Sequence, residues 1–244
     1  MNITVEEKLM YQVMKAIYDS GIPIDFKGAM VLKACLAEAG YFDEMRHTVD
    51  IDANWYSTTP LTAEQMTDSL QKALVASNIG LEVSIYRMYG DGRSAGFKLA
   101  DRVTDEVLFS MDIDINRPAT PTKIYEIAGF KFRGVVPFQM LADKISVVSS
   151  NKVFRRIKDV VDIYYMSKVF DFNKDELIQT LERSGRSLER FYGFLYKKEE
   201  LKHAYEKFRF NGDAEKPPFE EVYETVRSYI KAILPKEKTV DLER

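Results

Sequence analysis

Between Phe26 and Trp55 the chain combines two features suited to a polyphosphate. Lys27-Gly28-Ala29 opens an apolar, helix-patterned run, and a glycine turn at a helix start offers unpaired backbone N–H groups to phosphate oxygens. Lys27 adds a cation beside that turn. Twenty residues on stands His47-Thr48-Val49-Asp50-Ile51-Asp52. Two carboxylates one residue apart on a strand point to the same face, because side chains alternate with period two. Magnesium takes one or two carboxylates together with phosphate oxygens and water. A phosphate cradle followed by an acid pair is what a magnesium-bound nucleoside triphosphate requires, so the pattern points to nucleotidyl transfer. A third carboxylate completes a two-ion clamp on the attacking and leaving oxygens. Phe109-Ser110-Met111-Asp112-Ile113-Asp114-Ile115 supplies it, with both acids on one face and the apolar residues on the other. Asp112 is the expected third ligand, and Asp114 shares its face.

The elements that hold these residues are legible in the apolar spacing. Val5, Leu9, Met10, Val13, Met14 and Ile17 predict a helix over 4–19, stopped by Ser20-Gly21. A short strand is expected over 23–26, a helix over 28–39, and a strand over 49–55. Thr62 with Gln65 forms a capping-box signal for a helix to about Asn78. The period then shortens. Strands are expected over 81–89, 95–101 and 107–115, with Gly90-Asp91-Gly92 as the turn between the first two. A last strand or loop covers 124–136. From Pro137 the pattern is helical: 137–148, 153–168, Asn173 to about Ser184, 186–195, 197–208 and 218–233, with a charged tail from Pro235. The fold class is therefore α+β: a small mixed-sheet domain with flanking helices over 1–135, then an all-helical domain over 136–244.

Composition sets limits. With 45% hydrophobic and 12% aromatic residues, the chain can fill its cores. A net charge of −3 gives no global pull toward nucleic acid, so any such contact must be a local basic patch. One cysteine, Cys35, excludes an internal disulfide framework and suits a reducing compartment. Two scattered histidines, His47 and His203, argue against a zinc site or a histidine triad. No secretory leader and no membrane-length apolar run is visible, so a cytoplasmic protein without membrane contact is expected.

A second constellation lies in the helical half. Asp159 and Asp162 are one helical turn apart and face together, with Lys158 beside them and Lys144 on the preceding helix. By pattern alone these are a solvated face with local ion pairs. Taken in order, however, Lys27-Gly28-Ala29, Asp50-x-Asp52, the third acidic strand, Ala142-x-Lys144 and Lys158-Asp159-x-x-Asp162-Ile163-Tyr164 resemble the AbiEii/AbiGii toxin family of nucleotidyltransferases. That family belongs to the polymerase-beta-like nucleotidyltransferase superfamily. The resemblance spans about residues 20–170. It implies magnesium-dependent transfer of a nucleoside monophosphate from an NTP to an acceptor hydroxyl, using two magnesium ions, with tRNA or another RNA as favoured acceptor. It also implies the toxin of a two-gene system with a cognate antitoxin. By position, Gly28 and Ala29 match the phosphate motif, Asp50, Asp52 and Asp112 the metal acids, and Lys144 a cleft lysine. Lys158 matches a phosphate contact, Asp159 a catalytic or positioning acid, and Asp162 the end of the last motif. Arg46 stands for the arginine that usually precedes the acid pair. Ala29 departs from the family, which usually has a second glycine or a serine there. The competing readings are a small-molecule (antibiotic) nucleotidyltransferase and a non-catalytic interaction module.

Overall fold

The computed structural model describes residues 3–41, 45–56, 61–89, 94–115, 119–171, 173–210 and 215–234. The expected Gly90-Asp91-Gly92 turn and the tail from Pro235 lie outside these residues, as does part of the 211–218 loop. The chain divides into two units, Met1–Glu38 with Met45–Val136, and Ala39–Glu44 with Pro137–Arg244. No helix among the described residues is long and apolar enough to cross a membrane.

The first unit is built on a seven-stranded mixed sheet. Its elements are α1 (Val5–Asp19), β1 (Ile24–Lys27), α2 (Gly28–Glu38), β2 (Asp50–Trp55), α3 (Ala63–Ala76), β3 (Leu81–Tyr89), β4 (Ser94–Asp101), β5 (Val107–Ile115), β6 (Thr122–Ile127) and β7 (Phe130–Val135). The strand order is β3-β4-β5-β2-β1-β7-β6. β2 pairs with β5, and β1 with β7, in parallel; the other neighbours are antiparallel. Alternation decides which side of each strand is core. Ile51, Ala53 and Trp55 on β2, and Phe109, Met111, Ile113 and Ile115 on β5, are buried. Their odd-even partners carry the acids. Trp55 is thus a core residue. An aromatic cluster of Tyr11, Phe26, Tyr125 and Phe132 binds α1 to β1, β6 and β7. Tyr11 Oη donates to the Met30 carbonyl at 2.9 Å, tying α1 to α2.

The second unit contains α4 (Pro137–Val148), a 3-10 turn (Val153–Arg155), α5 (Ile157–Met166), α6 (Lys174–Arg183), α7 (Tyr192–Tyr196), α8 (Lys198–Lys207) and α9 (Phe219–Ile233). Pro137 occupies the first position of α4, where its missing N–H costs nothing. Asn173 caps α6 by accepting from the Asp175 and Glu176 amides.

Three segments depart from the periodicity reading, each for a physical reason. The 124–136 stretch forms two strands rather than one. Its turn is Ala128-Gly129, both with positive φ (50° and 83°), a type I′ hairpin without the usual Asn-Gly signature. The helix expected over 153–168 is broken at Arg156, whose φ of −123° separates the 3-10 turn from α5. The helix expected over 186–195 forms only at 192–196. Its first half instead bonds to the end of α4: Glu189 N donates to Ser149 Oγ at 2.8 Å, and Phe191 N to the Ser149 carbonyl at 3.1 Å.

The hairpin turn yields a prediction. An alanine in the left-handed region carries a strain that asparagine largely avoids. Ala128→Asn is expected to raise the stability of the first unit by about 0.5–1 kcal/mol, read as a higher urea midpoint. An unchanged or lowered midpoint would show that the turn is not held in this geometry.

Candidate active site

Register places the expected acids side by side. On parallel strands β2 and β5, Asp50 partners Ser110, Asp52 partners Asp112, and Asn54 partners Asp114. On the other side of β2, Asp52 partners Lys27 of β1. Asp50, Asp52, Asp112 and Asp114 therefore share one face of two adjacent strands, all half-buried.

Two glycines keep the space beside these acids open. Gly28, the first residue of α2, has φ +73°, and a Cβ there would overlap Asp52 Oδ2. The Asp52 carboxylate thus lies against a helix N-terminus, where the helix dipole favours negative charge. Gly96 on β4 stands between Arg87 of β3 and Asp112 of β5. A Cβ there would lie 2.8 Å from Asp112 Oδ1. Ala29 follows Gly28 in the first turn of α2 and is half-buried.

The two acids of β5 have different partners. Asp114 accepts from Lys27 Nζ at 2.6 Å and from Ser94 Oγ at 2.7 Å. Lys27 also donates to Asn54 Oδ1 at 2.8 Å. The ammonium of Lys27, a candidate phosphate contact, ties β1 to β2 and β5. Asp112 accepts from Arg87 Nη2 and, at 3.1 Å, from Tyr86 Oη, both on the edge strand β3. Tyr89 lies close by; partial burial, then the charges of Asp112 and Asp114, push its phenol up to about 12, so it stays protonated.

The entry to β2 is fixed by a buried network. Glu7, on the inward stripe of α1, accepts through Oε1 from Lys33 Nζ of α2. His47 Nδ1 lies 3.1 Å from the same oxygen and Thr48 N donates to it at 3.4 Å. Glu7 Oε2 accepts from Thr4 N at 3.2 Å, closing the capping box of α1. Thr48 Oγ1 then donates to Asp50 Oδ1 at 2.6 Å. Burial opposes ionisation of Glu7, yet the hydrogen bonds and charge of Lys33 and the bond from His47 outweigh it and hold its carboxyl below the ordinary 4.5. Arg46 is buried within the same entry segment.

In the helical unit, Lys144 Nζ of α4 donates to Asp162 Oδ2 at 2.7 Å and to Asp159 Oδ1 at 3.3 Å on α5. Asp159 and Asp162 therefore do face together, on a lysine only 9% exposed. Lys158 lines a separate cavity of about 280 Å³ with Phe154, Arg155, Lys207 and Phe208. Among the described residues that line it, none is acidic.

The profile of the family described as "Nucleotidyl transferase AbiEii toxin, Type IV TA system" matches residues 18–225. The chain belongs to this AbiEii nucleotidyltransferase toxin family. It is accordingly a nucleotidyltransferase of a toxin–antitoxin family. No curated protein matches the chain. Among solved structures, the fold is similar to MenT4, a nucleotidyltransferase toxin from Mycobacterium tuberculosis H37Rv. That match has a TM-score of 0.59 and 12% identity, and covers 98% of this chain and 86% of that one. It is also similar to an antigenic nucleotidyltransferase-like protein from Paracoccidioides brasiliensis, with a TM-score of 0.50, 20% identity, and coverage of 82% and 91%.

AbiEii membership implies an NTP and a divalent metal. The donor set fits in kind: hard carboxylate oxygens on adjacent strands, one face, flanked by glycine gaps. It is not yet gathered, since among the described residues no three His, Cys, Asp or Glu side chains form a ready metal cluster. Asp112 faces Arg87 and Asp50 faces Thr48. The AbiEii motifs also omit several residues that shape this site. Glu7 stood in the inward stripe with Met10, Met14 and Ile17, and Lys33 in the apolar run of α2; a charge at an apolar position was the available signal. Val5, expected inward, is exposed instead. Arg87 and Gly96 gave no comparable signal.

The buried pair predicts a pH signature for the AbiEii chain. A carboxyl depressed in the folded state adds stability above its unfolded pKa, and that stability is lost as pH falls through the folded value. Wild-type stability should therefore decline as pH drops below about 4.5, with a smaller decline in Glu7→Gln, read by thermal melting across pH 3–7. At pH 7, Lys33→Met strands the buried carboxylate and should cost about 3–5 kcal/mol. Equal acid sensitivity of wild type and Glu7→Gln would contradict this.

Proposed function

We propose that this protein is a magnesium-dependent nucleotidyltransferase that moves a nucleoside monophosphate from an NTP to an RNA hydroxyl, tRNA being the favoured acceptor. The observation that carries the proposal is the β2–β5 register, which sets Asp112 beside Asp52 with Asp50 on the same face. Asp50, Asp52 and Asp112 would hold the divalent ions. Asp112 is preferred to Asp114 as the third ligand because its register partner is Asp52 and its counter-ion Arg87 is far more exposed than Lys27, the counter-ion of Asp114. Bound there, the ions would lower the pKa of the acceptor hydroxyl and neutralise triphosphate charge.

The chain's own residues do the positioning. The Gly28 and Ala29 N–H groups at the start of α2 orient phosphate oxygens. Asp112 takes the proton as the acceptor oxygen bonds to the α-phosphorus, while the bond to the bridging oxygen breaks and pyrophosphate leaves. Thr48, held by Glu7, keeps Asp50 in its orientation. Catalysis of this kind is mainly placement and charge stabilisation. Lys158 serves as a phosphate contact, and Lys144, the cleft lysine, holds Asp159 and Asp162 together. An RNA acceptor is supported by the cationic and aromatic lining of the Lys158 cavity, since bases stack on rings and phosphates pair with Arg and Lys. A cognate antitoxin is the expected protein partner.

Incubation with each labelled NTP, magnesium and total RNA tests this. Label should enter RNA, and Asp52→Asn or Asp112→Asn should lower incorporation by at least about 100-fold without changing the circular dichroism spectrum. Full incorporation in both variants, or label entering only protein, would overturn the assignment.

A further inference from the structure

Arg87 is an exposed cation placed on the acid face by a defect in its strand. β3 carries a bulge between Ile85 and Arg87. Beyond it Arg87 stands opposite Gly96, and Gly96 opposite Asp112, so the three lie in line across β3, β4 and β5. The missing side chain at Gly96 is what lets the contact form. A Cβ there would come within 2.8 Å of Arg87 Cγ and 2.6 Å of the Tyr86 ring. The guanidinium donates to Asp112 Oδ2 and lies 4.9 Å from the Tyr86 centroid and 5.1 Å from that of Tyr89.

This pair differs from the neighbouring Lys27–Asp114 tie. Lys27 is 19% exposed and holds two partners on interior strands. The Arg87 side chain is 49% exposed on an edge strand, where ion pairs are weak and exchange readily. If Asp112 binds a divalent cation, the cation and the guanidinium compete for the same carboxylate, because like charges at close range repel. The two tyrosine faces keep the released guanidinium beside the site. The anion that arrives with the cation is a triphosphate, and a planar guanidinium matches phosphate oxygens in a two-pronged bond.

We propose that Arg87 is a substrate-binding residue: the counter-ion of Asp112 in the unliganded enzyme, and an arginine of the triphosphate once a divalent cation has taken that carboxylate. The proposal rests on the reading of Asp112 as a metal acid. It is tested with the full chain by titrating Mn²⁺ alone, and then a non-hydrolysable NTP analogue at saturating Mn²⁺, using calorimetry. Arg87→Gln should bind Mn²⁺ about two- to five-fold more tightly, because its competitor is gone. It should bind the analogue about ten-fold more weakly. Arg87→Lys, which keeps charge and loses the planar fork, should fall between. Unchanged or weaker Mn²⁺ binding in Arg87→Gln, or unchanged analogue binding, overturns the proposal. Asp112→Asn separates the two readings. If it loses Mn²⁺ affinity while Arg87→Gln changes nothing, only the role of Arg87 fails. If it binds Mn²⁺ like wild type, the metal assignment fails as well.

Discussion

Four carboxylates on one face of two adjacent strands repel one another, and the rest of the first unit is arranged around that constraint. Two like charges about 5 Å apart cost about 3 kcal/mol at an effective dielectric of ~20. Opposed like charges destabilise a sheet unless they are balanced. Three devices balance them here. Lys27 crosses β2 to reach Asp114. The N-terminus of α2 lies against Asp52. Arg87 reaches over Gly96 to Asp112. A face assembled this way is poised for further cations, since each one that binds relieves residual repulsion. That links strand register to the proposed metal-dependent chemistry.

The same logic explains why charges are buried behind the site. Glu7 and Lys33 would be costly alone in the interior, but together they satisfy the Thr48 amide and His47 at the entrance to β2. Thr48 passes that order on to Asp50. The orientation of Asp50, a proposed metal acid, is thus anchored in α1 and α2, far along the chain from it. The helical unit solves a similar problem differently, with one buried lysine shared by Asp159 and Asp162.

Much of this is legible in the amino-acid sequence alone. Strict alternation around Asp50, Asp52, Asp112 and Asp114 announced strands with one apolar face, and Gly28 announced the turn into α2. Those signals are local and periodic, so reading residues in order suffices. What stayed hidden depends on pairings between distant segments. The bulge that aims Arg87 exists only relative to β4, and the value of Gly96 only relative to both neighbours. The 122–135 hairpin escaped because Ala128 occupies a conformation usually assigned to asparagine or glycine. The tie made by Lys27 was also out of reach, because its partners Asn54 and Asp114 lie on strands that only the sheet register brings beside it.

The account stands on the claim that Asp50, Asp52 and Asp112 close around divalent ions. Crystals soaked with Mn²⁺ and a non-hydrolysable NTP analogue would test it through anomalous scattering. The account predicts anomalous density within coordinating distance of those three carboxylates, with Asp112 turned away from Arg87. Density elsewhere, or Asp112 still bound to Arg87 in the loaded protein, would contradict it.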